Sequence, residues 1–210
     1  MKFERKLDRR SLLAGSLAAG VSAISSNWSR ALANAEIGDN GLHIQDWFLE
    51  SFLDLGEDLG EAAGNGRHFA VLFEQAGCPY CRELHEVNLE RPTIVTYLKQ
   101  NFEILQLDLW GSRAVTDFDG EEMEERALAR KWQINFTPTI VFFPKDTAAV
   151  AGKSGRQAQI ARMPGYFKPF HFLSMFEYVR DGRTADQSFQ RYLQDKLARI
   201  KAEGGKADVW

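Results

Sequence analysis

Phe73-Glu74-Gln75-Ala76-Gly77-Cys78-Pro79-Tyr80-Cys81 is the stretch on which the reading of this chain turns. It closes a β-rich apolar run over 68–73 and opens a helical pattern that continues through Leu84 and Val87. A C-x-x-C pair between a strand and a helix sets its first sulfur at the helix N-terminus. There, unpaired backbone N–H groups and the helix dipole favour an anion. The thiolate is the nucleophilic form, and such a position lowers a cysteine pKa from about 8.5 into the range of roughly 3.5–7.5. Cys78 is then the attacking sulfur, expected to be open rather than buried. Cys81, almost a turn deeper, resolves the mixed disulfide that Cys78 forms. Pro79 suits the first helical turn, where its missing N–H is not needed. Tyr80 either shields the pair and tunes its potential or is an ordinary surface aromatic. Only these two cysteines occur in the 210 residues, too few and too close for a structural disulfide framework.

Metal binding is the rival use of such a pair. Cys78, Cys81 and His85 supply three ligands, but a closed zinc site wants four, and no second C-x-x-C or paired histidine follows. A copper-carrying module needs fewer ligands and stays open as an alternative of another class. The expectation is no metal and no cofactor beyond the Cys78–Cys81 disulfide itself.

About sixty residues downstream lies Phe136-Thr137-Pro138-Thr139-Ile140-Val141-Phe142-Phe143. A proline at the mouth of a buried strand has no ladder N–H to give and must serve position. With a cis Thr137–Pro138 bond the backbone bends sharply, and Thr137 offers its N–H and C=O to a partner strand beside the cysteines.

Around these two signals the pattern predicts a helix from Asp46, carrying Trp47, Phe48, Phe52, Leu55 and Leu59 and ending at Gly64-Asn65-Gly66. A helix over 93–100, a strand over 102–109, a charged helix over 121–131 and a buried strand over 139–143 follow. A further strand is expected over 156–162 and a helix over 168–179 with Phe172, Phe176 and Val179 on one face. The order implies an α/β domain whose central mixed sheet of four to five strands is flanked by helices. An extra amphipathic helix over 184–201 shows Phe189, Leu193, Leu197 and Ile200 in a stripe, and the tail beyond it is loose. The division is 1–35, 36–183 and 184–210.

Residues 1–35 read as an export signal. They hold six basic residues against Glu4 and Asp8, so a chain of formal net charge −3 carries −7 over the remainder. A modest apolar run over 12–24 precedes two A-x-A cleavage patterns, Ala31-Leu32-Ala33 and Ala33-Asn34-Ala35. Arg9-Arg10 inside the basic stretch resembles a twin-arginine signal, which implies a bacterial periplasm. An ordinary secretory signal and an uncleaved anchor are the alternatives. The acidic remainder, without clustered lysine and arginine, argues against nucleic acid as a partner.

The strand, the C-P-Y-C helix, the T-P-T-I-V-F-F segment and the closing helix resemble thioredoxin-fold proteins over roughly residues 44–180. Phe73 to Cys81 with Met163-Pro164-Gly165-Tyr166 resembles, more narrowly, the periplasmic SoxW type of bacterial sulfur oxidation. That resemblance implies a reductant of periplasmic protein disulfides, supplied with electrons by a membrane thiol transporter of the CcdA type. It also implies that Gly165 is the last-strand glycine, where a partner backbone comes close. One departure stands out: thioredoxins commonly carry a buried aspartate six residues before the first cysteine, and here that residue is Leu72. Glu74, on the same strand face, is the candidate to act as general base for Cys81. A solvated glutamate at the strand end is its plain alternative. Trp110 and Trp132 are either docking aromatics or core.

The motif leaves direction open, since potentials span about −270 mV for thioredoxin to about −120 mV for DsbA. Tyr80 brings no positive charge between the cysteines, and the stretch between Leu109 and Thr137 is too short for the helical insertion of the DsbA type. Both features favour a reductase over a DsbA-like oxidase or isomerase.

Overall fold

The structure is a computed structural model that describes residues 36–207. Residues 1–35, over which the sequence leads us to expect an export signal, and the last three residues lie outside the described residues.

From the N-terminal side the elements are α1 (Leu55–Gly64), β1 (His68–Glu74), α2 (Pro79–Glu83) running into a π-helical turn (Leu84–Asn88), α3 (Pro92–Asn101) and β2 (Phe102–Asp108). A small hairpin, β3 (Ala114–Thr116) and β4 (Glu122–Glu124), leads into α4 (Glu125–Lys131) and β5 (Thr139–Phe142). Two single turns, α5 (Thr147–Val150) and α6 (Gly155–Ala158), precede β6 (Ala161–Pro164), α7 (Pro169–Arg180) and α8 (Phe189–Ala202).

The central sheet has the order β2-β1-β5-β6. β1 pairs with β2 in parallel from His68↔Phe102 to Glu74↔Asp108, and with β5 antiparallel from Ala70↔Phe142 to Phe73↔Thr139. β6 closes the sheet antiparallel to β5. The two inner strands are apolar because both faces are covered. Phe69, Val71 and Phe73 join Leu59, Leu128 and Trp132 on one face, while Ala70 and Leu72 join Leu84, Ile94, Phe172 and Phe176 on the other. Alternation along β1 therefore places Glu74 with Leu72, towards the helix that carries the cysteines.

Several expected boundaries move. Residues 46–54 are not helical: α1 starts at Leu55, because Asp54 caps it by accepting from the N–H groups of Gly56 and Glu57. The preceding chain instead lies along the β2 edge, with the Leu49 N–H on the Ile104 carbonyl, while Phe52 is fully exposed. Trp47 and Phe48 pack on the Phe172 side of the core, whereas Leu55 and Leu59 pack on the other. The strand expected over 156–162 begins only at Ala161. A capping box between Ser154 and Gln157 winds residues 155–158 into a turn first, and Gly155 is held so close to the Trp132 ring that a Cβ would lie 2.0 Å from it. Residues 122–124 pair with 114–116 rather than opening α4. The final helix starts at Phe189, capped by Ser188, and is fixed to α7 chiefly by buried Tyr192, with Leu197 left exposed.

Candidate active site

Cys78 is the N-cap of α2, and its backbone is extended there because Pro79 occupies the first helical position. It is disulfide-bonded to Cys81. Two donors point at the Cys78 sulfur: the Cys81 N–H at 3.1 Å and the Thr137 hydroxyl at 3.3 Å. The Thr137 carbonyl lies 3.6 Å from it. Donors aimed at a sulfur stabilise its thiolate more than its thiol, so both lower the cost of opening the disulfide to an anion at this position.

Thr137 lies beside Cys78, and the Thr137–Pro138 bond is cis. The Pro138 carbonyl accepts the Gly165 N–H at 2.7 Å, tying the proline loop to the end of β6. Gly165 itself has φ +81°, and a Cβ there would meet nothing within 4 Å. Its requirement is thus the left-handed backbone rather than a close neighbour within this chain. Tyr80, Phe136, Thr137, Pro164, Gly165 and Tyr166 line a groove of about 460 Å³ along this side. Tyr166 is steadied by its hydroxyl donating to Asn88 on the π-helical turn at 3.2 Å. Burial, with the Glu83 carboxylate adding to it, raises the phenol above its usual range, so the ring stays neutral.

The expectation of an open Cys78 needs correction. The residue is 5 % exposed, against 1 % for Cys81. Thr137 and the neighbouring sulfur cover it. Exchange requires the sulfur to be reachable along the S–S axis, and here reach is set by how a partner sits beside Tyr80, 59 % exposed, and Thr137.

The family follows from these observations and from sequence comparison: residues 55–180 match the thioredoxin-like domain. The chain belongs to the thioredoxin-like family. No curated protein matches it by sequence. Among solved structures, this thioredoxin-like chain is similar to a thioredoxin-fold protein from Helicobacter pylori, with 23 % identity over 73 % of this chain and 96 % of the other and a TM-score of 0.46. A thioredoxin from Thermus thermophilus shares 24 % identity over 60 % and 83 %, TM-score 0.46. The oxidised C-terminal domain of Neisseria meningitidis DsbD shares 14 % over 62 % and 97 %, TM-score 0.40. A thioredoxin-like domain with a C-x-x-C disulfide carries the chemistry of a thiol–disulfide oxidoreductase.

Behind the cysteines, Glu74 is not a solvated strand end: it is fully buried. Its Oε2 accepts from His85 Nε2 at 3.0 Å and from Gln106 Nε2 at 2.5 Å. His85 is buried too, and its Nδ1 lies 3.2 Å from the Gln45 amide. Both ring nitrogens are therefore engaged away from Cys78 and Cys81. Among the described residues no group of three His, Cys, Asp or Glu could hold a metal. Of the two tryptophans, Trp132 is core, whereas Trp110 is 66 % exposed and donates to Gln75 in the loop before the motif.

Phe136 and Tyr166 in the groove flank motifs already visible in the sequence. The links of Glu74 to His85 and Gln106, and of His85 to Gln45, leave no mark in the sequence, because they join residues 11 to 40 positions apart.

Proposed function

We propose that this protein is an exported reductase of protein disulfides in the periplasm, re-reduced by a membrane thiol transporter of the CcdA type, with sulfur-oxidation components as partners in the manner of SoxW. The observation that carries the reading is the Cys78 sulfur at the start of α2, with the Cys81 N–H and the Thr137 hydroxyl both donating to it. In the forward direction Cys78 thiolate attacks a partner disulfide, and one partner sulfur leaves as thiolate. Cys81 then attacks Cys78, releasing the second partner thiol and forming the Cys78–Cys81 bond. Two electrons pass from the cysteine pair to the partner.

Thr137 and the groove from Tyr80 to Tyr166 hold the partner segment in extended form, with Gly165 leaving room for its backbone and Glu74 serving the Cys81 proton. The uncharged Tyr80 between the cysteines supports a reducing potential. So does the content of residues 110–136, a two-stranded hairpin and a two-turn helix in place of a helical domain. Equilibration of the full chain with glutathione buffers should give a potential near about −250 mV; one above about −150 mV would reassign the protein as an oxidase. The Arg9-Arg10 signal supports export, and fractionation of a tagged chain tests it. Recovery only in the cytoplasm would refute that part.

A further inference from the structure

The hydrogen bonds behind Cys81 admit one assignment of protons. The Trp47 indole N–H only donates, and at 3.1 Å it takes Gln45 Oε1 as acceptor. The Gln45 amide nitrogen therefore donates to His85 Nδ1, which leaves the His85 proton on Nε2. That N–H donates to Glu74 Oε2, as does Gln106, whose amide also donates to the His43 carbonyl at 2.6 Å. Glu74 is thus oriented as a carboxylate by two donors on one oxygen. The other oxygen, Oε1, is buried and meets no donor among the described residues. An unmet buried oxygen costs about 1–3 kcal/mol, so Oε1 is the position on this carboxylate still open to a donor. His85 stands four residues after Cys81, one turn below it on the same face. The π-helical turn over Leu84–Asn88 falls at that point in the helix.

We propose that His85 is a positioning residue for the resolving step: it holds Glu74 so that Oε1 receives the Cys81 proton. The inference rests on the thiol–disulfide exchange reading above. While Cys78 is joined to a partner sulfur, the Cys81 thiol gives its proton to Glu74. The resulting thiolate bonds to the Cys78 sulfur, and the bond from Cys78 to the partner breaks. Its electron pair leaves with the partner thiolate, which takes a proton from water. The cysteine pair is oxidised by two electrons and the partner reduced by two. Glu74 then returns its proton to solvent by way of a cleft of about 480 Å³, lined by Gln45 and Gln106. This cleft shares no residue with the groove that a partner covers. The titratable and charged groups facing the route are Cys81 and His85, His43 with its ring 5.3 Å from His85, and in the cleft Glu36, Asp46, Glu50 and Arg113.

Reduced full-length protein mixed in stopped flow with 5,5′-dithiobis(2-nitrobenzoate) reports the two steps separately. Attack by Cys78 releases one coloured thiolate and resolution by Cys81 releases a second. At pH 6.5, Glu74→Gln is expected to slow the second release about 10- to 100-fold and leave the first unchanged. The deficit should narrow as the pH rises past about 8.5, the free-thiol value, where hydroxide takes over from the carboxylate as base. His85→Leu should slow the second release about tenfold, and His85→Gln, whose amide still donates to Glu74, should recover to within about threefold. A second release at wild-type rate and pH profile in His85→Leu overturns the inference, and so does a His85→Gln variant as slow as His85→Leu. Should His85→Leu not fold, an unaltered pH profile in Glu74→Gln overturns it instead. Absence of both releases in folded wild-type protein would sink the exchange reading itself.

Discussion

The two sulfurs are served by different kinds of surroundings. Cys78 faces the β5–β6 side, where short stretches of sequence, Phe136-Thr137-Pro138 and Pro164-Gly165-Tyr166, build an open, largely aromatic groove. On the β2 side, Glu74, His85, Gln106 and Gln45 come from four separate parts of the chain and form a buried polar cluster, with His85 four residues beyond Cys81. Capture of a partner needs reach, hydrogen bonds and an exposed contact surface. Handling the proton of a resolving thiol needs a carboxylate kept out of water and oriented. The fold divides these tasks between the two sides of one strand, β1, and its following helix.

The comparison can be broken most severely at the sulfurs. Cys78→Ser should abolish exchange, whereas Cys81→Ser should retain capture and accumulate mixed disulfides visible on non-reducing gels. Equal loss of capture in both would mean that the sides are not divided as described. A smaller effect is expected away from both sulfurs, from Asp58 of α1, which is buried against the Ser51 hydroxyl. Burial, opposed by that hydrogen bond and reinforced by Asp54, Glu61 and Glu57, raises its pKa to about 6. The folded-state value thus exceeds the unfolded one, so ionisation of Asp58 opposes folding. The penalty is absent below about pH 4, grows through pH 6 and is full above it. Asp58→Asn should therefore stabilise the protein at pH 7.5 by about 2 kcal/mol in urea unfolding, with the gain vanishing near pH 4.

On the groove side, Thr137→Val removes one of the two donors to the Cys78 sulfur. A charge-assisted hydrogen bond of this kind is worth about 1.5 kcal/mol, so the Cys78 pKa should rise by roughly one unit while the second release in the stopped-flow assay keeps its pH profile. The smallest effect is expected from Gly165→Ala. Its φ of +81° makes a Cβ costly by about 1 kcal/mol of stability, read as a lowered unfolding midpoint with Cys78 titration unchanged.

The unequal legibility of the two sides in the sequence has a physical cause. A strand ending in C-P-Y-C, a Thr-Pro before a buried strand and a glycine after the last one are local backbone requirements, and each leaves its mark in adjacent residues. The buried cluster depends on register. Gln106 reaches Glu74 only because β1 and β2 pair in parallel and the Gln106 amide spans from the His43 carbonyl to the Glu74 carboxylate. Glu74 consequently reads as a strand-end residue as readily as a buried one, and His85 as readily as a third metal ligand. The same limit explains the chain before α1. Trp47 and Phe48 pack on one core cluster and Leu55 and Leu59 on the other, so the spacing that suggests a single helix joins residues serving two faces, and the Asp54 cap starts the helix only at Leu55.

The most direct measurement is the pH dependence of alkylation of Cys78 by iodoacetamide in the reduced protein, which follows the thiolate fraction. With the Cys81 N–H and the Thr137 hydroxyl both donating to this sulfur, the inflection should fall within the range of about 3.5–7.5. An inflection near about 8.5, that of a free cysteine, would contradict it.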